Sequence, residues 1–123
     1  MADTEILNIA IVCHEANRAY CRTLGDHSQP AWGVTPDWQQ KSAIKGVQFH
    51  LAALAEGEKP SPSVAHDAWL ADKKDKGWKH GPVKDADKRE HPDFMPYEKL
   101  SPQAQRKDFL FAAVVAAFFE HYV

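Results

Sequence analysis

Apolar residues recur at steps of three and four from the start of the chain, at Ile6, Ile9, Ala10, Cys13, Ala16, Tyr20 and Leu24. That period predicts one amphipathic helix, with Asp3 as its N-cap, Gly25 just past its end and no Pro or Gly between them. Asp26 to Thr35 is rich in turn formers, and Thr35-Pro36-Asp37 joins an N-cap to a Pro at the first helical position and an acid in the first turn. A second helix is expected from there to Ala55, with a narrow stripe of Ile44, Val47, Leu51 and Leu54 that packs on the first helix. Gly46, in the middle of that helix, would admit the close approach of another backbone. Glu56 to Ser61 reads as a linker, and Ser61-Pro62 opens a third helix of about a dozen residues that Gly77 stops. From Trp78 to Tyr97, prolines and glycines among charges predict an irregular ordered loop, with short extended pairs around Trp78 and Val83. Ser101-Pro102 starts a fourth helix whose run from Phe109 to Phe119 is apolar on every side. Such a helix belongs in a core or shares a dimer interface, and the core is favoured over the homo-oligomer. The expected fold is mainly α: a compact single domain over 1–123, of about four helices with one long structured loop. Its helical amino-terminal half would span 1–57 and its second half 61–120.

Composition narrows the function. A chain of 123 residues is the size of one domain, and 44% hydrophobic with 11% aromatic residues argues against disorder. Fifteen Lys and Arg against 17 Asp and Glu leave a formal charge of −2, so no general attraction to nucleic acid or anionic membrane is expected. The longest apolar run is far short of the roughly 20 residues of a membrane span, and the polar start Met-Ala-Asp-Thr-Glu is not a signal peptide. A soluble, cytoplasmic protein is the expectation. Cys13 and Cys21 lie eight positions apart on one predicted helix, about 12 Å at helical rise, where a disulfide needs about 7 Å. Both should be reduced thiols.

Candidate chemistry is sparse. His14-Glu15 is followed at the needed position by Arg18, so the HExxH zinc pair is absent. No phosphate-binding GxxxxGK[ST] loop, GxGxxG turn or GxSxG elbow occurs. His66, His80 and His91 lack zinc spacing, and Asp85, Asp87 and Asp93 are too scattered for a calcium loop, so neither a metal nor a cofactor is expected. An enzyme would have to use Glu15 with His14, and adjacent helical residues point about 100° apart.

Binding is better served. On the helical wheel Asn17 falls inside the apolar stripe with Cys13 and Tyr20, so its amide should be buried and must find partners. Its ordinary role would be to tie down the loop after Gly25. In a binding site, Asn17 and His14 would hydrogen-bond a ligand while the fork of Arg18 meets an anionic group. Of the four tryptophans, Trp38 and Trp69 occupy helical positions and read first as core, whereas Trp32 and Trp78 stand beside glycines in loops. A loop indole can stack on a planar ring, worth about 1–3 kcal/mol for a base. Between Asp72 and Glu90 seven Lys and Arg face five acids, a small excess that reads mainly as solvated surface. Lys73 and His80, next to Trp78, are the members placed to meet a phosphate.

The third helix and its loop carry a set of residues with a resemblance. His66-Asp67-Ala-Trp69, Gly77-Trp78, Gly81-Pro82, Asp85, Lys88, His91-Pro92, Pro96-Tyr97 and Leu100 resemble the ryanodine-receptor repeat domain over about residues 62 to 115. The amino-terminal half, with its Cys13-to-Cys21 segment, Ser28-Gln29, Trp38-Gln39 and Ser42-Ala43, is similar to the extension of stand-alone bacteriophage and prophage members and is not a second repeat. The resemblance implies a non-enzymatic binding module, of a family whose prokaryotic members are suspected of sensing nucleotide-derived signals in conflict between phage and host. The expected ligand is a small anionic molecule with a planar ring, such as an adenine nucleotide or an ADP-ribose-type signal, in a cleft between the first helix and the Trp78 loop. The ligand-binding set is then His14, Asn17, Arg18, Tyr20, Trp32, Trp38, Trp69, Lys73, Trp78 and His80. The alternative is a protein-interaction module using exposed tryptophans and the fourth helix.

Overall fold

A computed structural model describes residues 1–122. It is mainly α, with helices α1 (Asp3–Thr23), α2 (Asp37–Ala55), α3 (Pro62–Asp75) and α4 (Pro102–Tyr122). Short 3-10 turns lie at Trp32–Val34 and Tyr97–Lys99. Strands β1 (Lys79–His80) and β2 (Glu90–His91) pair in parallel, with Lys79 opposite Glu90 and His80 opposite His91. Two compact units result, one of Met1–Lys59 together with the chain from Phe109 on, the other of Pro60–Asp108. The first division falls in the predicted linker and the second inside α4.

The core of the first unit comprises Ile9, Ala10 and Cys13 of α1, Val47 of α2 and Val115 of α4, with Ile6, Ile44, Leu51, Leu54, Phe111, Val114 and Phe118 packed around them. The three-and-four spacing thus marks the buried faces of α1 and α2, which pack together as expected. Gly46 does admit a close neighbour, but a side chain and not a backbone: a Cβ there would stand 3.0 Å from Cζ of Phe111. The fourth helix departs from its expectation. Val115 is fully buried and most residues from Leu110 to Phe119 are half-covered, yet Phe109 is 60% exposed and Ala113 and Ala117 face solvent, so one stripe of α4 stays open. A unit built of three helices has a neighbour for one face of each helix, however apolar the others are.

Two of four predicted helix starts hold. The Ser61 hydroxyl accepts the Val64 amide and the Ser101 hydroxyl the Ala104 amide, both at 3.2 Å. Asp3 is not the cap of α1. Ala2 takes that position, its amide donating to the Glu5 carboxylate at 3.2 Å, while Asp3 and Glu5 are the acids of the first turn. Thr35 does not cap α2 either, because its buried hydroxyl donates to the Ala31 carbonyl at 2.8 Å and Pro36 becomes the cap residue. Gly25 and Gly77 end α1 and α3 with φ near +83°, as a left-handed residue after a helix should. Both cysteines are free and buried, and burial pushes the Cys13 thiol up to about 12.

In the second unit β1 follows Trp78 as expected, but its partner is Glu90–His91, and Val83 lies outside the pair, 68% exposed. The strand contact leaves no room for a side chain at position 81, where a Cβ would collide with the Glu90 side chain. Arg89 holds a left-handed φ of 54° and donates from Nη1 to the Lys76 carbonyl at 2.7 Å, which serves the end of α3. Strain at a non-glycine residue of about 1–2 kcal/mol is thereby offset by a charge-assisted bond.

Candidate functional site

Polar side chains gather where α1 faces the Pro30–Thr35 segment of the first unit. His14 is buried and donates from Nε2 to the Pro30 carbonyl at 2.7 Å, which fixes the Nε2–H tautomer. The Thr35 hydroxyl lies 3.4 Å from the same nitrogen, and the Trp32 ring meets the imidazole edge to face at 5.7 Å. Glu15 is the hub. One carboxylate oxygen accepts the Trp32 amide at 3.2 Å and lies 3.8 Å from His14 Nε2, and the other accepts Arg18 Nη1 at 3.0 Å. Adjacent helix positions diverge by about 100°, but both side chains bend toward one loop, so His14 and Glu15 meet after all. The Trp32 carbonyl in turn accepts the Gln40 amide at 2.9 Å, tying the turn to α2. Arg18 is 26% exposed, and its Nε is buried with no hydrogen-bond acceptor.

The second unit gathers the motif residues into an aromatic and imidazole cluster. His66 on α3 lies stacked with Trp69 at 5.6 Å, and Trp69 meets His91 edge to face at 5.0 Å and Phe94 at 6.5 Å. Trp78 is buried, 6.4 Å from the His91 ring, and the Nζ of Lys73 stands 5.7 Å over its indole. Lys73 is itself only 2% exposed, with the Asp72 carboxylate 3.8 Å away. The imidazole and indole members of the motif therefore gather in one cluster, with His66 and Trp78 buried in it.

Sequence-predicted residues fall into both units: His14, Asn17, Arg18, Tyr20, Trp32 and Trp38 in the first, Trp69, Lys73, Trp78 and His80 in the second. Within the first, His14, Arg18 and Trp32 are joined through Glu15. Asn17 is half-buried, not enclosed, and its side-chain oxygen takes the Cys21 thiol at 3.8 Å. The task of holding the loop after Gly25 falls to His14 and Glu15. Tyr20 and Trp38 are half-buried. Trp78 and Lys73, expected as an open stacking wall and a phosphate contact, are buried against each other, while His80 is exposed on β1. Reasoning from sequence passed over Glu15 as an anchor. Its signal was the i,i+3 spacing to Arg18, which puts the two on one helix face.

Other features are modest. A hollow of about 170 Å³ lies between Leu54, Gly57–Lys59 and the α4 residues Ala116, Phe119 and Glu120, below the roughly 300 Å³ at which ligand pockets usually begin. Among the described residues no group of three His, Cys, Asp or Glu is placed to hold a metal ion, and no helix is long and apolar enough to cross a membrane.

The RyR domain family matches residues 53–116, more than half of the chain. The chain belongs to that family. The matched span contains the entire imidazole and indole cluster of the second unit, whereas His14, Glu15, Arg18 and Trp32 precede it.

Proposed function

We propose that the chain is a non-catalytic module that binds a small anionic ligand with a planar ring, of the nucleotide-derived kind, at the Glu15–Arg18 corner of the first unit. The observation that carries this reading is the state of Arg18. Its guanidinium is held at a fixed bearing by a carboxylate that is itself anchored on the Trp32 amide, and its Nε–H has no acceptor. A buried donor left unmade costs about 1–3 kcal/mol, which a ligand carboxylate or phosphate would recover if the fork turned to meet it. Trp32 and Trp38 belong to the same unit and would supply the face for the ring, with Asn17 and Tyr20 as polar neighbours. In a phage-encoded setting, such binding would withdraw a host signal from circulation.

Thermal-shift screening against adenine nucleotides, ADP-ribose species and cyclic oligonucleotides tests the reading. A ligand present at 100 times its Kd adds about 2.7 kcal/mol of stability. Arg18→Ala is expected to abolish that shift while the protein still folds, since Arg18 is a partly exposed residue. Normal binding by the variant would remove the site from Arg18, and a converted ligand would make the protein an enzyme.

A second reading, a protein-interaction module using the fourth helix, is favoured by the exposure of Phe109, Ala113 and Ala117 along one stripe of α4. Its contacts would then be aliphatic and phenyl groups more than tryptophans. Absence of any ligand shift, with a protein that co-purifies through Phe109, would establish it.

A further inference from the structure

Two histidines of the second unit share one indole and make opposite demands on a proton. His66, 3% exposed, has Nε2 at 2.8 Å from the Met95 carbonyl and Nδ1 at 3.4 Å from the Asp108 carboxylate. A neutral imidazole carries one N–H and can serve only one of these acceptors, whereas the imidazolium serves both. His91 has the reverse geometry, since its Nδ1 accepts the Asp93 amide at 3.0 Å and must therefore be bare. Both rings pack on Trp69.

We propose that the Pro60–Asp108 unit is closed by a proton-dependent clasp, in which a protonated His66 bridges the Met95 carbonyl to Asp108 while an unprotonated His91 receives the Asp93 amide. His66 ties the His91–Tyr97 segment and the start of α4 to α3, while the His91 bond, which spans only two residues, sets the shape of the segment itself. This device does not depend on the ligand reading, which concerns the other unit.

The surrounding charges agree with the geometry. Toward His66 face Asp108 of α4 and Asp93 of the loop, with the Tyr97 ring 6.1 Å away; burial opposes the charged ring but is outweighed by these carboxylates and the Met95 carbonyl, so its pKa is raised. Toward His91 face Asp93, Lys84, Lys73 of α3 and Lys107 of α4. Burial, reinforced by the three lysines against Asp93, pushes it down to about 4. The signs follow from linkage. The contribution of His66 is complete below its ordinary 6.5 and is lost as pH rises through the raised value. That of His91 is complete above 6.5 and is lost as pH falls toward about 4.

Nitrogen-15 NMR of the imidazoles in the full chain, with urea midpoints across the same pH range, tests the clasp. The expected result is a His66 that loses its second proton at a higher pH than a free histidine, a His91 neutral until about 4, and a urea midpoint that falls on both sides of its maximum. Asp108→Asn should lower the pH at which His66 titrates and bring the urea midpoint at acidic pH down towards its alkaline value, leaving the alkaline midpoint nearly unchanged. A His66 that titrates like a free histidine, or a variant whose loss is equal at both pH values, overturns the proposal. If Asp108→Asn does not fold, the wild-type titration alone decides.

Discussion

At Gly46 a Cβ would stand 3.0 Å from Cζ of Phe111, so any side chain there must push the ring aside. Gly46→Val is therefore expected to cost about 1–3 kcal/mol, the usual range for overpacking, measured as a lowered urea midpoint with an unchanged slope. A glycine in a helix signals a close neighbour, and the sequence could say that much. It could not say that the neighbour is an aromatic ring from sixty-odd residues away. Asn17 and His14 show the same limit. A helical wheel assigns an angle to each residue but not the reach of its side chain, so the longer His14, at the margin of the stripe, finds the Pro30 carbonyl and is buried, while Asn17 in the stripe is left half-covered. Lys73 was legible only as a positive charge. Its burial depends on the Trp78 ring beneath its ammonium, and that ring arrives through a turn at Gly77.

At the scale of elements, helix starts separate into two kinds. Ser61 and Ser101 cap because each is followed at once by Pro at the first helical position, which fixes the chain's entry and leaves the hydroxyl facing free amides. Ser61→Ala should cost about 1 kcal/mol in denaturant titrations, whereas Asp3→Ala should cost no more than the roughly 0.3–1 kcal/mol of a carboxylate near a helix N-terminus. Thr35 has the same sequence signal as the serines yet is drawn away by a carbonyl four residues back. Competition of this kind is invisible to local pattern. Apolar composition likewise announced α4 as a helix but not which of its faces would be covered. Of the irregular loop, an extended stretch after Trp78 was legible, and its partner was not: the expected segment around Val83 lies outside the pair, and Glu90–His91, beyond the left-handed residue Arg89, takes its place.

For the whole molecule, the near-balance of charge has a direct consequence. The local lysine excess of the second unit is largely answered by acids, with Lys76 on Asp72 at 3.1 Å and Lys79 near Glu90 at 3.8 Å. No retention on heparin and no shift of duplex DNA is expected at moderate salt, and salt-sensitive retention would contradict this electrostatic account. The family match covers the second unit, where the motif residues His66, Trp78, Gly81 and Leu100 are buried while Asp67, Pro82 and Lys88 stay at the surface. The candidate ligand site precedes the matched span, so family membership does not bear on its side chains. Glu15 became visible only once the loop it anchors was in place. The two buried thiols bear on how the protein can be studied. Their burial, with Cys13 pushed up to about 12, keeps them from electrophiles while the fold is intact. A cysteine introduced on the exposed face of α4, at Ala113 or Ala117, would then take a fluorophore or spin label selectively, with both native cysteines left in place.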